Sequence, residues 1–184
     1  MTLIKNSGIK GKLLHPGCGG EKLPFWLAEC DETRLDIDAR VEPDIVASIT
    51  DMGDIGKFDY VYTAHTLEHL YEHEVPFALS EFMRVLNDGG AAIIFVPDLE
   101  GVEPTDEVLY ESPGGPICGR DLFYGPTRYV SCNQYYAHQT GFIQSTLEKA
   151  LKTAGFIDVT VKRVGDHNLM GVGKKEKQNA TNDI

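Results

Sequence analysis

Three features are missing from this sequence: long hydrophobic runs, an excess of positive charge, and paired cysteines. No segment approaches 18 consecutive apolar residues, and the N-terminal segment MTLIKNSGIKGK lacks the apolar core of a signal peptide. We therefore predict a cytoplasmic protein without a membrane partner. The formal net charge of −11 opposes binding to nucleic acid phosphates, so we expect no nucleic-acid partner and a small, neutral or cationic ligand instead.

The cysteines form no C-x-x-C pair, which predicts free thiols rather than disulfides or a zinc knuckle. They are Cys18, Cys30, Cys118 and Cys132. The length of 184 residues and the hydrophobic fraction of 42% indicate one globular domain, which we place at residues 1–173. The polar residues 174–184 are predicted to be a disordered tail.

A short apolar strand runs into a glycine loop in the segment LLHPGCGGEKLP, residues 13–24. Glycines allow a sharp turn and a close approach of backbone amides to a ligand, as in nucleotide-binding loops. The dinucleotide fingerprint G-x-G-x-x-G is incomplete, because Lys22 stands where its third glycine would fall. Asp36 ends the next predicted strand and lies 19 residues after Gly17, close to the expected position of a ribose-binding carboxylate.

Strands and helices alternate along most of the chain. Apolar runs predict seven strands, at about 11–16, 33–37 and 45–47, from Phe58, from Ala91, at 157–164 and at 167–175. Helices are predicted around 22–30 and 75–86. A third helix is predicted from a capping box formed by Ser145 and Glu148. Such alternation predicts an α/β fold with a doubly wound, seven-stranded, mostly parallel sheet whose last strand is antiparallel, with the ligand crevice at the carboxyl ends of the strands.

The segment from about 98 to 144 interrupts this alternation with glycines, prolines and aromatic residues. A connection of this length in a compact domain is typical of a lid or a substrate wall, and a plain structural insertion is the alternative.

These elements together resemble the class I S-adenosylmethionine-dependent methyltransferases, over about residues 11–173. The resemblance rests on the loop GCGG, the acid Asp36, the pair Asp51 and Met52, and above all on HTLEHL followed by EFMRVLNDGG, which is typical of the small-molecule branch. One departure is His15, since relatives usually keep an acid two residues before the first glycine.

The resemblance implies S-adenosylmethionine as cofactor and a small-molecule methyl acceptor as partner. It implies that Gly17, Cys18 and Gly19 approach the methionyl part, and that Asp36 accepts the ribose hydroxyls, with Asp38 as a second candidate. It further implies that Asp51 binds the adenine amino group with Met52 on the ring face, and that Ala64 and His65 face the sulfonium. For Asp51 and Met52 the alternative is a helix cap and a core methionine.

His138 in NQYYAHQTGF is the predicted catalytic base, together with His65 at the donor. Chain connectivity brings His138 back from the insertion toward the carboxyl edge of the sheet. The alternative is that His138 only ties the insertion to the core by a hydrogen bond.

Three other functions compete with methyl transfer. His65, Glu68 and His69 spell H-x-x-E-H, a zinc-peptidase motif, but it directly follows a strand, and we predict no metal site. A nicotinamide-dependent oxidoreductase would use the same glycine loop and acid, although no tyrosine is followed four residues later by lysine. A non-catalytic cofactor-binding module is the third alternative. The sequence names neither the acceptor, nor the methylated atom, nor the oligomeric state.

Overall fold

The computed structural model describes residues 8–178. Seven strands form one sheet in the order β3-β2-β1-β4-β5-β9-β8. Their bounds are β1 Lys12–Pro16, β2 Asp31–Asp36, β3 Ile45–Val46, β4 Phe58–Ala64, β5 Leu86–Pro97, β8 Ile157–Val164 and β9 Asn168–Lys174. A separate hairpin consists of β6 Val108–Ser112 and β7 Gly115–Cys118.

The sheet is parallel from β3 to β5, and only β9 runs against its neighbours β5 and β8. This confirms the predicted seven-stranded, mostly parallel fold with an antiparallel last strand. The order reverses between β1 and β4, and a reversal of this kind opens a crevice outside the carboxyl ends of the strands. The loops after β1, β2 and β4 all lie at this edge.

The main hydrophobic core lies between the sheet and two helices, α1 Val75–Val85 and α4 Gln144–Thr153. Helix α1 buries Ala78, Leu79 and Phe82, and α4 buries Leu147 and Leu151. These residues recur at the spacing of one helical face, which is the pattern that predicted both helices.

The opposite face of the sheet carries a smaller cluster around Leu13, Leu27, Tyr62 and Ile93. The helix predicted at 22–30 is wrong, because this segment contains only one 3-10 turn, Phe25–Leu27. Pro24 explains the difference: proline disfavours helical backbone at the residue before it and has extended backbone itself here (φ −62°, ψ 152°). Too few residues remain before β2 for a longer helix.

The start of α4 also differs from the prediction. Ser145 and Glu148 lie inside the helix, and the N-cap is Ile143, whose backbone N–H donates to Thr146 Oγ1 at 3.0 Å. Thr146 thus supplies the side-chain half of a capping box two positions earlier than the sequence pattern indicated.

The segment 98–144 leaves the sheet and returns to the same point. Leu99 N donates to Phe142 O at 2.9 Å, so the ends of the segment are joined. Between them lie the β6–β7 hairpin and two short helices, α2 Gly119–Tyr124 and α3 Thr127–Val130. Its role as a lid stays a prediction.

The ordered chain extends slightly beyond residue 173, since Lys174 pairs with Ala91 and the Lys175 N–H donates to Gly90 O at 2.8 Å. Residues 179–184 of the predicted tail lie outside the described residues. All four cysteines are free thiols, as expected. Within residues 8–178 no helix is long and apolar enough to cross a membrane.

Candidate active site

Two clefts lie side by side at the carboxyl edge of the sheet. We name them the Asp36 cleft, of about 570 Å³, which runs along the loops after β2 and β3, and the hairpin cleft, of about 930 Å³, which is walled by the β6–β7 hairpin and α2. Both clefts are lined by Gly17, Gly19, His65, His69 and Tyr136. Two ligands bound in the two clefts would therefore meet at these five residues.

Gly17 has a left-handed backbone (φ +67°) that favours glycine. A Cβ atom there would lie 2.3 Å from Thr66 Cγ2, so the loop after β1 packs directly on the loop after β4. The Gly17 N–H donates to Leu35 O at 2.8 Å, which also holds the loop against β2. The predicted glycine loop is thus fixed from both sides.

Asp36 is buried at the end of β2 and lines the Asp36 cleft. Its carboxylate accepts the Gly19 N–H at 2.8 Å and the Asp38 N–H at 2.9 Å. A carboxylate offers about four acceptor sites, so these two bonds leave room for two more donors. The glycine loop and the predicted ribose-binding acid are therefore joined by a direct hydrogen bond.

Asp38 also lines the Asp36 cleft, but its carboxylate has other partners. Arg40 donates to both of its oxygens, at 2.8 and 2.6 Å, and holds the pKa of Asp38 at about 2. Asn133 Nδ2 donates to Asp38 Oδ2 at 3.0 Å and so links the 98–144 segment to the end of β2. Asp36 is the freer of the two ribose candidates.

The predicted adenine pair lies apart from the cleft lining. Asp51 is exposed, and Met52 is buried in the main core with its N–H donating to Glu81 Oε2 at 2.8 Å. At this end the cleft is lined by Ile49 and Thr50 instead. The adenine contacts of Asp51 and Met52 stay a prediction.

Cys18 and Ala64 line the hairpin cleft next to the junction. Cys18 is almost completely buried, and burial raises the pKa of its thiol. Ala64 ends β4, and His65 follows it with a left-handed backbone (φ +54°), which is uncommon for a residue other than glycine. Gly17, Cys18, Gly19, Ala64 and His65 all line the hairpin cleft, and their contacts with the donor stay a prediction.

Glu68 is the main residue that the sequence analysis missed. It is 1% exposed, and within residues 8–178 neither carboxylate oxygen has a hydrogen-bond partner. His65 Nδ1 lies 3.3 Å from its Oε1. Burial acts to raise the pKa of Glu68, but the neighbouring imidazoles of His65, His69 and His138 outweigh it and hold that pKa below its usual range.

His138 lies close to this carboxylate, with its ring centroid 5.1 Å from that of His69. His138 Nδ1 is 2.8 Å from Leu122 O, which lies in α2 of the same insertion, so this bond does not tie the insertion to the core. Burial lowers the pKa of His138 and favours the neutral ring. Because a carbonyl only accepts, Nδ1 carries the proton and Nε2 has the free lone pair.

The zinc-peptidase alternative requires His65 and His69 on one face of a helix. Residues 67–69 form a single 3-10 turn, and His65 lies before it with left-handed backbone. The motif therefore does not form its usual histidine pair. The sequence HTLEHL contains Glu68, but it does not reveal that the insertion packs on this turn, where Gln139 N donates to Glu68 O at 2.8 Å.

Comparisons with known proteins agree with this arrangement. Residues 14–94 match a family model described as "Methyltransferase domain". No curated protein matches the sequence. Among solved structures, the PH0226 protein from Pyrococcus horikoshii has a TM-score of 0.65 at 17% identity, covering 95% of this chain and 86% of that one.

Two further structures are enzymes solved with ligands. Human N-acetylserotonin methyltransferase, in complex with S-adenosylmethionine, has a TM-score of 0.58 at 15% identity over 91% of this chain and 48% of that one. The Burkholderia thailandensis 1,6-didemethyltoxoflavin-N1-methyltransferase, with 1,6-didemethyltoxoflavin and S-adenosylhomocysteine, has a TM-score of 0.58 at 17% identity over 92% and 73%. This chain covers 48% of the human enzyme and 50% of another solved structure, the S-adenosylmethionine-dependent methyltransferase SibL. It therefore spans about half the length of these proteins.

At these identities the solved structures show the fold, which is the Rossmann-like fold of class I methyltransferases. The family match covers β1 to most of β5, the part that holds the glycine loop, Asp36 and HTLEHL. Residues 14–94 thus match a methyltransferase domain, and the described chain has the fold of S-adenosylmethionine-dependent methyltransferases.

Proposed function

We propose that this protein transfers a methyl group from S-adenosylmethionine to a small-molecule acceptor. The observation that carries the proposal is the pair of clefts that share Gly17, Gly19 and His65 at the carboxyl edge of the sheet. A two-substrate transfer needs two binding spaces that meet at the reacting atoms. The family match supports the choice of methyl transfer over the nicotinamide alternative.

The donor is assigned to the Asp36 cleft. Asp36 would accept the ribose hydroxyls, and Gly17 and Gly19 leave the loop backbone open to the methionyl part. The adenine would lie against Ile49 and Thr50, which line this end of the cleft, with Asp51 and Met52 following directly in the chain. Ala64 and His65, at the junction, would face the sulfonium, and the methyl group would point into the hairpin cleft.

The acceptor is assigned to the hairpin cleft, whose walls include Tyr62, Phe95 and Tyr110. Aromatic walls favour a flat or apolar molecule, and their ring faces attract the positive charge of the donor. The sulfonium is already a good leaving group, so the protein mainly aligns donor and acceptor and excludes water. His138 is the proposed base. It would act directly through its free Nε2 nitrogen, or through a group bound to that nitrogen.

A thermal melt in the presence of EDTA tests the donor assignment. A ligand at 100 times its dissociation constant stabilises a fold by about 2.7 kcal/mol, which is about 5–10 °C in melting temperature for a domain of this size. S-adenosylhomocysteine should raise the melting temperature by this amount, and NAD and NADP should not. A rise with a nicotinamide cofactor and none with S-adenosylhomocysteine would refute the proposal.

A further inference from the structure

Three side chains converge on one point of the hairpin cleft. Glu68, His69 and His138 each place a possible ligand atom there, and these atoms lie within 4.8 Å of one another. Glu68 and His69 belong to the 3-10 turn after β4, whereas His138 comes from the end of the 98–144 insertion. The cluster therefore exists only because the insertion folds back onto the sheet.

Both histidines are held in the same tautomer by backbone carbonyls. His69 Nδ1 lies 3.2 Å from Ala137 O, and His138 Nδ1 lies 2.8 Å from Leu122 O. Each Nδ1 must carry the proton, so each Nε2 has a free lone pair. Histidines that bind metals almost always donate their other ring N–H to such a partner, which fixes the ring and raises its basicity.

The burial of the Glu68 carboxylate also points to a bound cation. This carboxylate is 1% exposed and accepts no hydrogen bond from the described part of the chain. His65 Nδ1 lies 3.3 Å from Oε1 without forming a hydrogen bond. A buried carboxylate without hydrogen bonds is costly, and buried charges are normally paired or coordinate metals. A cation bound between Glu68 and the two Nε2 atoms would satisfy all three groups together.

We propose that Glu68, His69 and His138 bind a divalent transition-metal ion of the Zn²⁺ class. Two imidazoles and one carboxylate suit Zn²⁺ or Fe²⁺ rather than Mg²⁺ or Ca²⁺, which prefer oxygen ligands alone. Three protein ligands leave a coordination position open, as in catalytic rather than structural zinc sites. The zinc-peptidase motif contributes only its Glu and second His, and His138 replaces His65.

The position of the metal site indicates what the ion would do in methyl transfer, and this inference rests on the proposed function. All three ligands line the hairpin cleft, where the acceptor is placed. An oxygen or nitrogen atom of the acceptor could fill the open position. The ion would then orient that atom toward the methyl group. A coordinated hydroxyl would pass its proton to solvent, because His138 Nε2 would bind the ion and could not act as the base itself.

Calorimetric titration of the EDTA-treated, dialysed full-length protein with Zn²⁺ tests the site. We expect one Zn²⁺ per chain in the wild type. Glu68→Gln and His138→Gln should each weaken Zn²⁺ binding by more than the about 10–100-fold expected when a residue that only orients a metal ligand is lost. His73→Gln is the matched control, because His73 is an exposed histidine of the same segment outside the cluster, and it should bind Zn²⁺ like the wild type.

A Co²⁺ absorption spectrum identifies the ligand type in the same protein. We expect visible bands without a thiolate charge-transfer band, since Cys18 lines the same cleft but is outside the ligand set. Circular dichroism verifies that each variant is folded. No stoichiometric Zn²⁺ binding in the wild type, unchanged affinity in folded Glu68→Gln, or thiolate ligation would overturn the site. The Zn²⁺ titration and the Co²⁺ spectrum are recorded without S-adenosylhomocysteine. They can therefore be interpreted even if S-adenosylhomocysteine does not bind in the Asp36 cleft.

Discussion

The residues Asp36 and Asp38 differ in what their carboxylates already bind. Asp36 accepts two backbone N–H groups and keeps two acceptor sites, whereas Asp38 is engaged by Arg40 and Asn133. Charge-assisted hydrogen bonds contribute about 1.5–3 kcal/mol each. Asp36→Ala should therefore weaken S-adenosylhomocysteine binding by about 10²-fold or more in calorimetry.

Asp38→Ala is the matched comparison and should have the smaller effect on affinity. If Asp36→Ala binds within a factor of three of the wild type while Asp38→Ala binds far more weakly, the ribose is held by Asp38. Asp36→Ala should also lower the melting temperature without ligand, because the Gly19 and Asp38 N–H groups lose their acceptor.

His15 gives the protein a pH-dependent stability term. It is 2% exposed, its Nδ1 lies 2.7 Å from Glu32 Oε1, and burial lowers its pKa despite that carboxylate. The unfolded chain therefore takes up this proton at a higher pH than the folded one. The stabilisation is complete above the unfolded pKa of about 6.5 and is lost as the pH falls through the lower folded pKa.

His15→Gln removes this titration. Between pH 7.5 and about 5, the free energy of unfolding of the wild type should fall more than that of His15→Gln, measured by urea denaturation at each pH. His73→Gln, at an exposed histidine, should keep the wild-type slope. Parallel curves for the wild type and His15→Gln would show that His15 carries the same charge in both states.

Among the structural elements, the 98–144 insertion reaches across the Asp36 cleft through Asn133. Its Nδ2 donates to Asp38, and its Oδ1 accepts the Tyr135 N–H at 3.1 Å, which caps the following 3-10 turn. Asn133→Asp keeps the cap but places a second carboxylate against Asp38. We expect S-adenosylhomocysteine to dissociate about tenfold faster from this variant, measured by stopped-flow displacement.

Ser131→Ala serves as the control for this element, because Ser131 is exposed and its hydroxyl contacts Arg128 O and Cys132 Sγ of the same segment. Its dissociation rate should match the wild type. An unchanged rate in Asn133→Asp would show that the insertion does not retain the donor, and its role as a lid would then fail.

Elements with strong periodicity were predictable, and those decided by a single residue or a distant contact were not. Helix α1 and strand β5 follow from their apolar patterns. The helix at 22–30 failed because the extended backbone of Pro24 excludes helix before it, and β2 already begins at Asp31. The β6–β7 hairpin was not predicted. Its strands are mostly exposed, so their residues do not alternate between apolar and polar as they do in a half-buried strand.

For the whole molecule, the sheet topology could be predicted because strands and helices alternate and crossovers are right-handed. The same logic places the loops after β1, β2 and β4 at one edge, which is why Gly17, Asp36 and His65 were found together. The cluster of Glu68, His69 and His138 could not be predicted, since it joins residues about seventy positions apart through an insertion without periodicity. Burial of Glu68 is a tertiary property that HTLEHL alone does not reveal.

Hydrogen exchange can test which of the two clefts takes the donor. The Asp36 cleft is built from segments that are distant in sequence, around Gly19, 36–41, 48–50, 65–71 and 133–139. S-adenosylhomocysteine should slow amide exchange in these segments together, because ligand contacts suppress the local openings that expose amides. The hairpin at 108–118 borders only the other cleft and should change little, as should α4 and β8. Protection of the hairpin without protection of 36–41 and 48–50 would reverse the two assignments and place the acceptor beside Asp36.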